Sequence, residues 1–295
     1  MEKSKSLFWD IEYWKVQKNN PFIISDNNLS IFWNKKDKNL LSGFVGYFGG
    51  ITPDNKMNSF NEIHLRKIFE SSYDLAFENS IELALMRMPP IGYYPEYDNV
   101  IYSIIHQHEW KTIYSDVISF RTLDTLEYND LHKNRKYDYD WWVKKDIHTS
   151  SGVFNLDDTF SIIEKNFFTH NRELNLDLKF LELLAKKLND RINFHLVKFE
   201  NYTVCAAITL KISENVLHIY KWANNPVTEK MYPSALSLLY MQIVEYAVNS
   251  QFSILCLGAS SSEGNVNSGL LQFKNSLGFK NTERITFAKR FNRTT

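Results

Sequence analysis

The 295-residue chain is long enough for one large domain or two of ordinary size, each able to bury its own core. Lys+Arg and Asp+Glu both number 34 and the isoelectric point is near 7.1, so no overall field draws the protein to DNA or to an anionic membrane. No stretch approaches the roughly 20 apolar residues that span a bilayer, the start MEKSKSLFWDIEYW lacks the apolar core of an export signal, and Cys205 and Cys256 lie in apolar runs as buried thiols do; a cytoplasmic protein without membrane insertion is expected.

In chain order, PFIISD, LSIFWNKK and LLSGFVGYFGGI read as strands, FNEIHLRKIFESSYDLAF as a helix, IELALMRM as a strand, DNVIYSIIHQHEW as a helix and SDVISFRTL as a strand. The charged, aromatic stretch NDLHKNRKYDYDWWVKKD reads as a connecting helix and marks a boundary between domains 1–130 and 131–295. Beyond it, IHTSSGVF is a strand and LDDTFSIIEKNFF a helix capped by Asp157 or Asp158. The helix LKFLELLAKKLN follows, and then INFHLVKF, YTVCAAITLKI and NVLHIYKWA form an antiparallel meander. Pro233 and Ser234 open a helix with Leu236, Tyr240, Ile243 and Ala247 on one face. FSILCLGAS, apolar throughout, reads as a strand covered on both faces. NSGLLQFKNSLGF is a helix closed by Gly278, and TERITFAKRF is the last strand.

The second half thus has the order β-α-α-β-β-β-α-β-α-β, which is similar to the GNAT acyltransferase fold. The first half resembles the same fold without its two leading helices. The predicted class is therefore α/β, two tandem GNAT-like domains with mixed sheets, the first truncated, facing each other across the substrate.

The stretch 253–279, SILCLGASSSEGNVNSGLLQFKNSLGF, carries a closer resemblance: a strand ending in Gly258, a turn of small residues, and a helix with Phe273-Lys274 and a closing Leu-Gly-Phe. It resembles the last third of FemAB-like acyltransferases, most closely the two-GNAT-domain proteins of surface-polysaccharide clusters, such as that of anthrose biosynthesis. SGFVGYFGGI, MRMPPIGYYPEYDNVIY and VLHIYKWANNP fit the same subgroup. The resemblance implies transfer of an acyl group from acyl-CoA to a nucleotide-linked amino sugar, without a metal, a cysteine nucleophile or a covalent enzyme intermediate. It also implies an acyl donor held beside the fourth and fifth strands of the second half. Cys256-Leu257 replaces the subgroup's Asp-Phe, and the GNAT pyrophosphate loop is absent. Two alternatives stay open: a FemAB-type aminoacyltransferase using aminoacyl-tRNA on a peptidoglycan precursor, and a non-catalytic glycan-binding module of GNAT fold. Zero net charge weighs against a tRNA surface. Oligomeric state is not read from the sequence, a monomer being the default.

The candidate residues follow from chemistry and from that resemblance. Gly258, Ser260, Gly264 and Asn267 line a small-residue loop before a helix, where backbone N–H groups and the helix dipole suit a phosphate or an oxyanion. An ordinary βα turn is the plainer reading. Lys274 is expected to hold phosphate or stabilise an oxyanion, or else to be a solvated lysine. His218 shares a strand face with Tyr220 and has the ordinary pKa of a base that takes a proton from an amine. Asp98 and Glu263 are further catalytic candidates, Trp222 joins the donor site, and Tyr47, Phe48, Gly49, Tyr93, Glu96 and Tyr220 would line the acceptor pocket.

Overall fold

The computed structural model describes residues 7, 11–16, 21–26, 29–42, 49–53, 62–93, 95–123 and 128–291. In chain order these form α1 (Ile11–Val16), β1 (Phe22–Asp26), β2 (Leu29–Lys36), β3 (Asn39–Ser42), β4 (Thr52–Pro53), α2 (Glu62–Glu78), β5 (Leu83–Arg87), α3 (Pro95–Gln107) and β6 (Lys111–Thr122). Then come α4 (Lys133–Trp142), β7 (Ile147–Ser151), α5 (Leu156–Thr169), α6 (Leu178–Lys187), β8 (Ile192–Phe199), β9 (Tyr202–Lys211) and β10 (Val216–Asn224). The last are α7 (Leu236–Asn249), β11 (Ile254–Ala259), β12 (Ser261–Ser262), β13 (Asn265–Val266), α8 (Ser268–Asn275) and β14 (Lys280–Arg290). The protein is α/β, and its chain gathers into two discontinuous compact units. The first comprises Met1–Ile118, Ala259–Asn267 and Asn281–Thr295; the second comprises Ser119–Gly258 and Ser268–Lys280.

In the first unit β1, β2 and β3 make an antiparallel meander, β3 pairs in parallel with β5, and β5 pairs antiparallel with β14. The strand order is β1-β2-β3-β5-β14-β6, with β4 on β2. Alternate residues of β2, Leu29, Ile31 and Trp33, point into a core shared with Leu65, Ile68 and Phe69 of α2. Trp33 stacks on Trp110 at 6.1 Å, and its indole N–H donates to Ser72 Oγ at 3.2 Å, so the polar edge of a fully buried ring is satisfied. Phe287 of β14, also fully buried, completes this core from the far end of the sequence.

In the second unit β7, β8, β9 and β10 form an antiparallel meander, and β10 pairs in parallel with β11. Leu217 and Ile219 enter the core built around Leu239, Tyr240, Ile243 and Ala247 of α7. His218 and Tyr220 alternate with them and so take the opposite face, where α5 packs.

Several local expectations are corrected. The cap of α5 is not an aspartate: the helix begins at Leu156 with Asn155 as an N-cap without a side-chain bond. Asp157 and Asp158 occupy the first turn, where the helix dipole favours them. The helix expected from Pro233 starts at Leu236. The sequence reading missed α1 altogether. The compact units part within β6. Residues 259–267 and the body of β14 belong to the first unit. Pairing of β5 with β14 joins positions about 200 residues apart, which no local pattern announces.

Candidate active site

Within the second unit the parallel pairing of β10 with β11 covers Val216↔Ile254, Leu217↔Leu255 and His218↔Cys256, and stops there. Both strands continue, β10 for six residues to Asn224 and β11 to Ala259, so they diverge from this point. On its other side β10 stays paired with β9 but slips by one residue between Ile219 and Lys221, leaving Tyr220 as the extra residue of a β-bulge. The bulge bends β10 where the parallel partner is lost.

Gly258 lies two residues past the last pair, with φ of +68°, a conformation that costs a residue bearing Cβ. A Cβ there would also lie 3.0 Å from Cε1 of His218, so glycine is required by conformation and by the imidazole ring beside it. The Gly258 N–H donates to Cys256 Sγ at 3.2 Å, and its carbonyl accepts the Lys274 ammonium at 2.8 Å. Lys274 is buried, which sequence reasoning left open against a solvated lysine. Burial pulls its pKa down to about 8, opposed only weakly by Cys256. Near neutrality the side chain is therefore a cation that gives up its proton readily.

His218 Nδ1 lies 3.2 Å from the Cys256 carbonyl. A carbonyl only accepts, so this contact puts the ring proton on Nδ1 and makes Nε2 the basic nitrogen. The Tyr220 ring lies 6.5 Å from the His218 ring, and burial raises its phenol well above the ordinary value. Trp222 turns instead toward Phe273 of α8, 5.7 Å away.

Four of the candidate residues thus converge in the second unit: His218, Tyr220, Gly258 and Lys274. The remaining loop residues belong to the first unit, as a β12–β13 hairpin. Its tip is Glu263–Gly264, both with positive φ, the signature of a type I′ turn. The Gly264 N–H donates to Asp116 Oδ1 at 3.2 Å, Ser261 Oγ donates to the same oxygen at 2.8 Å, and the Asn267 N–H is taken by the Ser260 carbonyl at 2.8 Å. Asp116 Oδ2 receives Arg284 Nη2 at 2.8 Å, in a pair that is nearly fully buried. Burial alone would raise the Asp116 carboxyl, but the bonds from Arg284, Gly264 and Ser261 outweigh it and hold the carboxyl below its usual value. The small-residue loop is therefore organised around a protein carboxylate, and Glu263 is an exposed turn residue.

Elsewhere in the first unit, Asp98 accepts the Gly92 N–H at 2.7 Å, and burial raises its carboxyl. Tyr93 is buried in that turn, and the N–H of Gly49 is taken by the Arg87 carbonyl. Tyr47 and Phe48 lie outside the described residues, as does the side chain of Glu96. Among the described residues no group of three or more His, Cys, Asp or Glu could hold a metal, and no helix is long and apolar enough to cross a membrane. Sequence reasoning missed Asp116, Arg284 and Lys221. The only signal for the first pair is two opposite charges on strands otherwise apolar at alternate positions.

No family model and no curated protein matches the sequence. Solved structures do match. FemX superimposes with a TM-score of 0.72 at 12% identity, covering 96% of this chain and 91% of that one. L-PGS from Bacillus licheniformis gives 0.64 at 11% identity, with 95% and 86% covered. A tandem GNAT protein from the clavulanic acid biosynthesis pathway gives 0.50 at 8% identity, with 90% and 79% covered. At these identities what is shared is the fold, which is that of FemX-like and tandem GNAT proteins.

Proposed function

We propose that the protein is an N-acyltransferase that moves an acyl group from an activated ester or thioester directly to an amine. The observation that carries this reading is the Lys274 ammonium held on the Gly258 carbonyl at the point where β10 and β11 part, with the His218 ring beside Gly258. A donor carbonyl placed in the divergence meets a cation and strand backbone, both suited to the negative charge that develops on its oxygen. The amine attacks the carbonyl carbon and passes its proton to Nε2 of His218, whose Nδ1 faces the Cys256 carbonyl. As the tetrahedral adduct collapses, the departing sulfur or oxygen takes a proton, which Lys274 can supply because burial weakens its hold on it. No enzyme nucleophile is needed, and Cys205 and Cys256 are both buried.

For the finer identity the resemblance points to acyl-CoA as donor and a nucleotide-linked amino sugar as acceptor. One observation favours the second reading, an aminoacyl ester of tRNA. At the start of α7 the Ala235 N–H is already taken by Asn224 Oδ1 and the Leu236 N–H by Ser234 Oγ, and Glu229 lies on Asn224 Nδ2. A pyrophosphate would find those donors engaged and a carboxylate nearby. The test is a product assay by mass spectrometry with acetyl-CoA, longer acyl-CoAs and aminoacyl-tRNA in parallel, each against nucleotide-linked amino sugars and peptidoglycan precursor. Amide formation from one donor class identifies it. Hydrolysis alone, or no turnover with any donor, rejects acyl transfer in favour of a binding module.

A further inference from the structure

We propose that Lys221 and Arg172, both standing on the ring of Phe167, hold an oxyanion of the amine acceptor, phosphate or carboxylate, some distance along β10 from the point of transfer. The proposal rests on the acyl-transfer reading. Lys221 Nζ lies 5.4 Å from the Phe167 ring centroid and 5.6 Å from that of Tyr220, and the Arg172 guanidinium lies 5.0 Å from the same Phe167 ring. Arg172 is fixed from below: its Nη2 donates to Asn166 Oδ1 at 2.9 Å, and Asn166 in turn donates to the Asn224 carbonyl at 2.9 Å. Two cations are thus tied to one aromatic ring by α5 and β10, and among the described residues neither has a carboxylate partner.

The surroundings make this more than a solvated pair. Lys221 is half-buried, and burial alone depresses its ammonium, with no acid to offset the cost. Glu229 is bound to Asn224 and lies 4.0 Å from His170 Nε2. His170 itself gives its Nδ1 to the Asn166 carbonyl at 2.8 Å. A ligand oxyanion would supply the missing counter-charge, with Arg172 offering its outer N–H groups and Lys221 a point charge.

The sheet decides which substrate is concerned. His218, the proposed base, lies on the α5 face of β10, so the amine it deprotonates approaches from that face. The bulge at Tyr220 turns Lys221 to the same face, three residues further on. At roughly 3.3 Å per residue the backbone positions of His218 and Lys221 lie about 10 Å apart along β10. That spacing suits a free amino acid, whose amine and carboxylate share one carbon, less well. It fits an amine on a larger body, such as a sugar, that carries its phosphate or carboxylate at a distance.

The test is titration calorimetry of the full-length protein with inorganic pyrophosphate and, separately, with succinate, which distinguishes phosphate from carboxylate. Saturable binding of one of them is expected, about tenfold weaker in Lys221→Met and in Arg172→Met and retained in Lys221→Arg. Arg172 is exposed, so its variant carries the test if Lys221→Met fails to fold. Saturable probe binding by a wild-type protein that transfers no acyl group from any donor would reject the acyl-transfer reading and leave the anion site standing. Absence of saturable binding, or binding unchanged in both Met variants, overturns the site. Equal KM values for phosphorylated and uncharged amine acceptors would overturn its assignment to the acceptor.

Discussion

Replacing Lys274 by methionine keeps the length and the buried stem of the side chain while deleting its charge and its hydrogen bond to the Gly258 carbonyl. On stability two opposed effects are expected. The folded-state pKa of about 8 lies below the ordinary 10.5, so folding disfavours the charged form. Because the folded value is the lower one, this destabilisation is fully present below pH 8 and disappears as pH rises toward 10.5. Its size is about 3 kcal/mol at about 1.4 kcal/mol per pH unit. Methionine removes that cost, but leaves the Gly258 carbonyl without the ammonium, which costs about 1–3 kcal/mol. Near pH 7 the variant should therefore be as stable as the wild type to within a few kcal/mol, as urea denaturation would report. On catalysis the two effects do not cancel. An oxyanion donor removed from a transition state costs about 2–4 kcal/mol, so kcat for acyl transfer should fall by about 30- to 1000-fold with little change in acceptor KM. The wild-type rate should also decline above pH 8 as the ammonium is lost, and that limb should be missing from the variant. A variant with normal stability, normal kcat and the same alkaline limb would refute the reasoning. A penalty confined to KM would make Lys274 a ground-state phosphate ligand.

Gly258→Ala should lose about 1–2 kcal/mol of stability, measured in urea, from the positive φ, and transfer should fall as the new methyl displaces the His218 ring. His218→Gln should lower kcat about 100-fold or more, since Gln accepts no proton; an unchanged kcat would remove His218 as the base. Asp116→Asn leaves Arg284 buried opposite a neutral amide and should cost about 3–5 kcal/mol, read as a lower urea midpoint at pH 7. Since the folded Asp116 pKa lies below the unfolded value, its contribution is present above the unfolded value and is lost as pH falls through the folded one. Wild type and variant should therefore converge in stability only in strong acid.

Much of the second unit was legible because its elements obey one period each. Leu236, Tyr240, Ile243 and Ala247 repeat as one helical face, and all but the half-buried Leu236 are buried in α7. Lys274 was legible only in part: an amphipathic helix with one lysine looks the same whether that lysine points out or in, and the resemblance of FKNSLGF alone tipped the reading. The bulge at Tyr220 was not legible, because VLHIYKWAN alternates well enough to pass for a regular strand. Its consequence, Lys221 turned onto the α5 face, was hidden with it. Asp116 was read as one residue of the strand SDVISFRTL, and its role depends on Arg284, 168 positions away. What failed was everything settled by contacts between distant segments, to which periodicity is blind.

The place of β14 has a consequence for how the molecule comes into being. The sheet of the first unit needs this strand between β5 and β6, and its core needs Phe287. During synthesis, residues 1–118 therefore emerge with a gap in their sheet that no early segment fills. The second unit's main body, residues 119–258, is finished before that gap can close. Until residue 290 has cleared the ribosome, β5 and β6 each carry an unpaired edge, the feature that recruits other chains. Residues 1–118 are thus made before the second unit's main body and complete their sheet after it.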